Sequence, residues 1–514
     1  RSRETAIRAA IGAGRGHLLG AALAESLVLA AAGGVLGLLV AYWGVAALAA
    51  FGPADVPRLD QARLEGPVVA FAVGLAVVSG LIFGLAPALR TAGRLPHEAL
   101  KEGGRTGSRA GRGDRLRNAL VVSEIALALV LLTGAGLLIR SAVALNGVDA
   151  GFDPHGVVAG RVSLPAVTYQ TPDQVTGAFQ RIHQRLAGVP GVATASLVST
   201  APLEQGNTNG LIPEGRSLEP GSAINSDLRL ITPDYFATMR IPLRRGRGFT
   251  AEDRAGAPRV MIINEALARE AFPGQDPVRK RIACCESGPD GVTPVWKEVV
   301  GVVGDVRARG LDQEPTPEFY LPMLQAPAAA WSWTDRTMTV AVRAASDAVA
   351  LMGSLRRAVG EVDAGLPLYN LGTMRGRVMD SLAQSRFSTM LLTVFGAIAL
   401  ALAGIGVYGV ISYGVAQRTQ EIGIRMALGA RHRDVLTMVV RHGALLAGIG
   451  LVVGLAGALA LSRLLSSLLF RVSPTDPPTF AAGIGVLSAA AVLAAALPAR
   501  RAARTDPVVA LRNE

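Results

Sequence analysis

The sequence predicts a polytopic α-helical membrane protein carrying one large α+β extracytoplasmic domain. Three observations carry that expectation: six apolar stretches long enough to cross a bilayer, four basic clusters that share one face when the chain alternates, and a segment that occurs twice. At 514 residues, 50% hydrophobic and mean hydropathy +0.38, the chain is too apolar for an ordinary soluble protein and too polar to be membrane throughout.

A bilayer core about 30 Å thick needs roughly 20 apolar residues as helix. Ser26 to Ala54, Gly66 to Leu89, Phe387 to Gln417, Gly443 to Ser462 and Pro477 to Ala499 reach that length without Asp, Glu, Lys or Arg. Asn118 to Ile139 carries only Glu124, near its start, where a carboxylate can sit at headgroup level.

The formal net charge of +12 raises nucleic acid as a partner, but the positive residues cluster beside apolar runs and no recognition motif accompanies them. Arg1 to Arg15, Arg90 to Arg117, Arg418 to Arg441 and Arg500 to Arg512 are the dense clusters. Positive loops stay cytoplasmic, which leaves the stretch from Ser141 to Arg386 outside.

RSRETAIRAAIGAG at the start and RTQEIGIRMALGAR from Arg418 align without gaps. The register continues, with Gly33 and Gly37 opposite Gly450 and Gly454, and later Pro87, Arg90 and Pro96 opposite Pro498, Arg501 and Pro507. Two copies of one module follow. The second copy is preceded by a helix, a domain and another helix, and the chain opens on a charged segment without Met. The expectation is therefore an N-terminally truncated chain holding six of eight spans.

Within each copy a carboxylate stands four residues before an arginine, Glu4 to Arg8 and Glu421 to Arg425, the favourable order for a helical ion pair, with Gly12 and Gly429 as ends. Such a helix is either a docking element for a cytoplasmic partner or a basic interfacial helix that anchors the next span. The GxxxG pairs Gly33/Gly37, Gly80/Gly84 and Gly450/Gly454 read as helix-packing sites, although among 60 glycines chance spacing competes. The sequence contains no GxxxxGK[ST] phosphate loop, HExxH, CxxC or GxSxG, so no catalytic, cofactor-binding or metal-ligating residues are assigned. Cys284 and Cys285 are neighbours, a spacing that strains a disulfide, and no bridge is expected.

Between Ser141 and Arg386 short strand-like runs alternate with Pro, Gly and Asp punctuation. Val157 to Leu164, Gln174 to Leu186 and Val192 to Ser199 read as strand, helix, strand, and Met338 to Arg343 followed by Ala348 to Val362 begins a second such unit. Asp227 to Ile231, Val260 to Asn264 and Glu298 to Val303 read as strands of an inserted part. Trp296, Trp331 and Trp333 form either a contact surface or partly buried packing.

These residues resemble the FtsX-like and MacB-like permeases of ATP-binding cassette systems, especially the long tandem-repeat bacterial type. EIGIRMALGAR at Glu421 and PARRAARTDPVVALR at Pro498 are similar to the family's cytoplasmic segments. ITPDYFATMRIPLRRGRGFT at Ile231, VMIINEALAREAFPGQDPVRKRI at Val260 and EVVGVVGDVRARGL at Glu298 are similar to its periplasmic core domain. The chain departs from a full tandem in its short first half and in RHGALL after Arg441, where the first copy has AESLVL.

The resemblance implies a partial FtsX-like module over 1–117, a membrane helix over 118–140, a MacB-like periplasmic core over 141–386 and a second module over 387–514. It implies a multi-pass protein of the bacterial inner membrane, surrounded by lipid and without nucleic acid. A separate cytoplasmic ATPase dimer would dock at Glu4 to Gly12 and Glu421 to Gly429, and its closure would move the periplasmic domain, with a periplasmic partner possible. Export or lipoprotein handling is the first expectation. A signalling relay that activates a cell-wall hydrolase or senses envelope-active peptides is the second, and a sensor without an ATPase the third.

Overall fold

The computed structural model describes residues 15–51, 63–92, 113–204, 206–216, 222–287, 293–417 and 432–503. Two compact units divide the chain, one formed by Arg1–Ala142 with Gln384–Glu514 and the other by Val143–Ala383.

The first unit contains six apolar helices among the described residues: α1 (Arg15–Phe51), α2 (Gly66–Ala92), α3 (Gly113–Asn146), α9 (Ala383–Gln417), α10 (His432–Ser462) and α11 (Pro477–Ala503). Five are long and apolar enough to cross a membrane, and the sixth, α2, carries a shorter apolar stretch over Gly66–Leu81. Large side chains such as Val28, Trp43 and Phe71 lie two-thirds or more exposed on α1 and α2, as suits surfaces whose solvent is hydrocarbon. Val121, Ile125, Ala128 and Leu129 of α3 pack with Ala403, Val407 and Ile411 of α9, Ala447 of α10 and Leu487, Ala491 and Ala495 of α11.

The second unit holds eleven strands in one sheet, with five helices introduced here in chain order: α4 (Pro172–Ala187), α5 (Tyr235–Met239), α6 (Glu265–Ala271), α7 (Ala348–Val362) and α8 (Met374–Ser381). β1 (Val157–Ser163) lies between β11 (Tyr369–Thr373) and β10 (Thr337–Ala344), and β10 in turn pairs with β2 (Val192–Val198). A single bridge, Val198 to Ile231, leads from β2 to β4 (Ile224–Ile231).

From β4 the order continues through β3 (Asn207–Pro213), β7 (Arg281–Ser287), β8 (Pro294–Val303), β6 (Val260–Asn264) and β9 (Glu318–Pro322), and β9 pairs back onto β4 in parallel. Six strands thus close on themselves. β5 (Leu243–Gly246) pairs only with β8. Within the sheet the part built from both ends of the domain sequence is joined to the inserted part by that β2–β4 bridge, and beneath it Val157, Ala159 and Ala341 pack with Ile231, Tyr235 and Tyr320 in one shared core.

Local sequence explains the helices that cover the open part. Thr171 caps α4 by accepting from the Gln174 backbone N–H, Gln174 returns its side-chain oxygen to the Thr171 N–H, and Pro172 pre-sets the first turn. Val175, Ala178, Phe179, Ile182 and Leu186 then fall on one buried face. Phe179 stacks on Trp331 at 5.6 Å. Trp331 is therefore core, whereas Trp333 is exposed and Trp296 half-buried beneath Arg281.

One expectation is overturned in β7. Cys284 and Cys285 are joined to each other. The strand admits the bridge because its pairing with β8 shifts register between Ala283 and Ser287 and Cys285 takes a left-handed backbone, φ +71°.

The closure of the six strands centres on a buried ion pair. Arg229 of β4, 1% exposed, donates through Nε and Nη2 to Oε1 of Glu318 on β9, at 2.9 and 2.8 Å, and through Nη1 to the Ala201 carbonyl at 3.1 Å. Tyr320 OH donates to the second carboxylate oxygen at 2.8 Å, and the Glu318 N–H donates to Asn264 Oδ1 at 2.9 Å. Each charge is solvated by the protein instead of water, so losing one strands the other. Glu318→Gln is expected to destabilise the unit by about 3–5 kcal/mol, read as a lowered urea midpoint.

A second charged contact sets an acid limit. The Arg247 guanidinium donates to both oxygens of Asp253, at 2.7 and 2.9 Å, and the Thr250 N–H adds a third bond at 2.8 Å. Arg247's hydrogen bonds hold the Asp253 carboxyl below the ordinary carboxylate range. Because the folded value lies below the unfolded one, this contribution is present above the unfolded pKa of about 3.9 and is lost as pH falls through the lower folded value. Asp253→Asn should accordingly lower stability at pH 7 and narrow the gap between variant and parent in acid, measured by urea unfolding from pH 7 to 3.

Candidate functional site

The membrane unit is organised around α3. Forty-four per cent of its most apolar window is buried, against 17% for α9 and 28% each for α10 and α11. Small residues allow the close approach. A Cβ at Gly454 of α10 would lie 2.9 Å from both the Cα and the carbonyl oxygen of Ala126, and one at Gly450 would lie 2.8 Å from the Ile125 Cβ and 3.2 Å from the Val122 carbonyl. At Gly454 the obstruction is backbone of α3 and cannot rotate away. Side chains crowd two further glycines of α3: a Cβ at Gly136 would lie 2.7 Å from Thr479 Cγ2 of α11, and one at Gly134 would lie 2.9 Å from Leu392 Cδ2 of α9.

The first copy behaves differently. Cβ atoms at Gly33 and Gly37 would meet nothing within 4 Å, so the packing expected there is corrected. The approach of α1 to α2 runs through Gly34, 3.2 Å from the Ala76 Cβ, and through Gly80, 2.8 Å from the Ala30 Cβ. The reason is rotational: the neighbouring residue, one position on, faces α2. Gly84 follows Gly80 on α2. Glu4, Arg8, Gly12, Glu421, Arg425 and Gly429 lie outside the described residues.

Where α3 leaves the bilayer, side chains tie it to the turn between α10 and α11. Arg140 pairs with Asp476, whose Oδ2 also accepts from the Thr479 hydroxyl at 2.6 Å and from its N–H at 3.1 Å. Those bonds, the Thr479 hydroxyl first, hold the Asp476 carboxyl below its ordinary range. Ser141 Oγ accepts from the Phe470 N–H at 2.9 Å. Toward the opposite end the Arg117 guanidinium stacks 3.8 Å from the Tyr413 ring, and Arg501 donates to Tyr408 OH at 2.9 Å.

Sequence reasoning did not single out Arg140, Ser141 or Asp476, although a charge at each margin of an apolar run is the available signal. It also placed Glu124 at headgroup level. The structure directs that carboxylate into the seam between α3 and α9, where a Cβ at Gly406 would overlap its Oε2.

Two family models match. The FtsX-like permease C-terminal model matches residues 1–96 and 393–507, and the MacB-like periplasmic core domain matches residues 119–358. The chain belongs to the FtsX-like permeases with a MacB-like periplasmic core. This permease is 27% identical over 389 residues to the macrolide export ATP-binding/permease protein MacB of Azoarcus sp. (strain BH72), covering 73% of this chain and 58% of that one. It is 27% identical over 328 residues to the pyoverdine export ATP-binding/permease protein PvdT of Pseudomonas syringae pv. tomato, covering 61% and 48%.

The crystal structure of the periplasmic region of MacB from Actinobacillus actinomycetemcomitans aligns at 12% identity and a TM-score of 0.30, over 44% of this chain and 92% of that one. The permease spans 41 to 58% of the length of the curated relatives it matches first. It is a membrane-spanning protein whose core domain is extracytoplasmic.

The backbone contact at Gly454 makes a graded test of the seam. Gly454→Ala should destabilise the permease by about 1–3 kcal/mol through overpacking, lowering its thermal midpoint in detergent, while Gly37→Ala should leave that midpoint unchanged.

Proposed function

We propose that this permease is the membrane subunit of an ATP-driven export system of the bacterial inner membrane, taking its energy from a separate cytoplasmic ATPase dimer. The observation that carries the reading is the length of the two helices by which the chain enters and leaves the extracytoplasmic domain. α3 has 34 residues and α9 has 35, about 50 Å each where about 30 Å crosses the hydrocarbon. Long helices joined to the domain at both of its chain connections can carry a displacement from the cytoplasmic face to the outside.

The repeated segments support a two-fold engine. Glu4 to Gly12 and Glu421 to Gly429 give two equivalent docking segments, one per module, with the modules spanning 1–117 and 387–514. The sequence contains no phosphate loop, whereas the relatives are named ATP-binding/permease proteins for export. Export of a small molecule, assisted by a periplasmic partner, is the favoured use of the motion.

Glu4→Lys combined with Glu421→Lys should abolish co-purification of the ATPase while leaving membrane insertion intact; unchanged recovery of the complex overturns the docking assignment. In the intact complex, ATP turnover should rise with the exported compound. Stimulation of a cell-wall hydrolase without export would replace transport with signalling.

A further inference from the structure

Glu124 is an acid set into the seam between two membrane helices, α3 and α9. It stands on α3 three residues after Val121 and four before Ala128, residues 3% and 0% exposed, which puts it on the helix face turned toward α9. Its Oε2 is closed off from solvent and has no hydrogen-bond partner among the described residues. Gly406 supplies the space, since any β-carbon there would overlap that oxygen.

Around the carboxylate is a cavity of about 330 Å³, walled by Leu120 and Val121 on one helix and by Gly406, Gly409 and Val410 on the other. The cation in its lining, Arg117, is stacked on Tyr413 and forms no ion pair with Glu124 among the described residues. The charged form of a carboxyl so placed is favoured when a counter-charge and a donor reach it.

We propose that this cavity binds a lipophilic ammonium ion taken from the membrane, a protonated aliphatic amine whose N–H groups donate to Glu124 while its chain lies along Leu120, Val121 and Val410. An amine supplies both the missing donor and the missing charge. An alcohol supplies only the donor, and a fatty acid brings a second negative charge. The cavity lies at the small end of ligand sites, which run from about 300 to 1,000 Å³, so it fits an amine head with a short alkyl segment and not a whole lipid. The site belongs to the membrane unit and does not depend on what the ATPase complex exports.

The test uses the purified chain in phosphatidylcholine nanodiscs, titrated with octylamine or octanol in a calorimeter, with empty nanodiscs subtracted. Saturable octylamine binding is expected, with octanol at least tenfold weaker; equal binding of the two overturns the proposal. Glu124→Gln should weaken octylamine at least tenfold, Glu124→Asp should retain part of it, and unchanged affinity in Glu124→Gln overturns the assignment to this carboxylate. Without ligand, Glu124→Gln should keep or raise the thermal midpoint, because the carboxyl oxygen it replaces has no hydrogen-bond partner among the described residues. A marked fall would mean that Glu124 serves the fold, and would overturn the proposal. If that variant does not fold, the comparison of amine with alcohol on the parent chain still decides.

Discussion

The membrane unit depends on one close approach, the backbone of α10 against the backbone of α3 at Gly454 and Ala126. In hydrocarbon there is no hydrophobic force between helices, so association rests on dispersion and shape, and both improve steeply as backbones come together. With α10 seated there, Gly134 and Gly136 admit α9 and α11 from other sides, and Ala403, Val407, Leu487 and Ala491 fill the remaining space. A helix gripped on several faces moves with its neighbours as a body.

The extracytoplasmic unit answers a different problem, that of joining strands distant in sequence. β4 and β9 lie about ninety residues apart, and their parallel pairing is what closes the six-stranded ring. Arg229 and Glu318 sit on those two strands, so the closure buries two charges that are solvated by each other, by Tyr320 and by the Thr200 and Ala201 carbonyls. A slipped register would leave both charges unmet. The pair thus selects the register even where an apolar pair of equal volume would be as stable.

Much of the architecture was legible because its signals are long. Charge-free runs of twenty residues announce membrane helices whatever they pack against, and β6 and β8 declared themselves through Val and Ile. β3 was illegible: NTNGLIP has little strand preference and is held by its pairing with β4 and β7. β9, only five residues behind Pro317, is too short to distinguish from a buried turn until β4 and β6 flank it. The glycine pairs show the same limit. Gly33/Gly37 and Gly450/Gly454 are equivalent in sequence, yet only the second meets a helix, because spacing along a helix does not say which way the face turns.

The contacts described at the two ends of the bundle differ in kind. Outside, Asp476 receives Arg140 and both donors of Thr479, while Ser141 receives Phe470, so α3 and the α10–α11 turn are held by several directional bonds. Toward the cytoplasmic end the contacts include a guanidinium on the Tyr413 ring and the Arg501 bond to Tyr408 OH. A cation stacked on an exposed ring is worth only about 0.5–1 kcal/mol and tolerates sliding, whereas a carboxylate fixed by three donors does not.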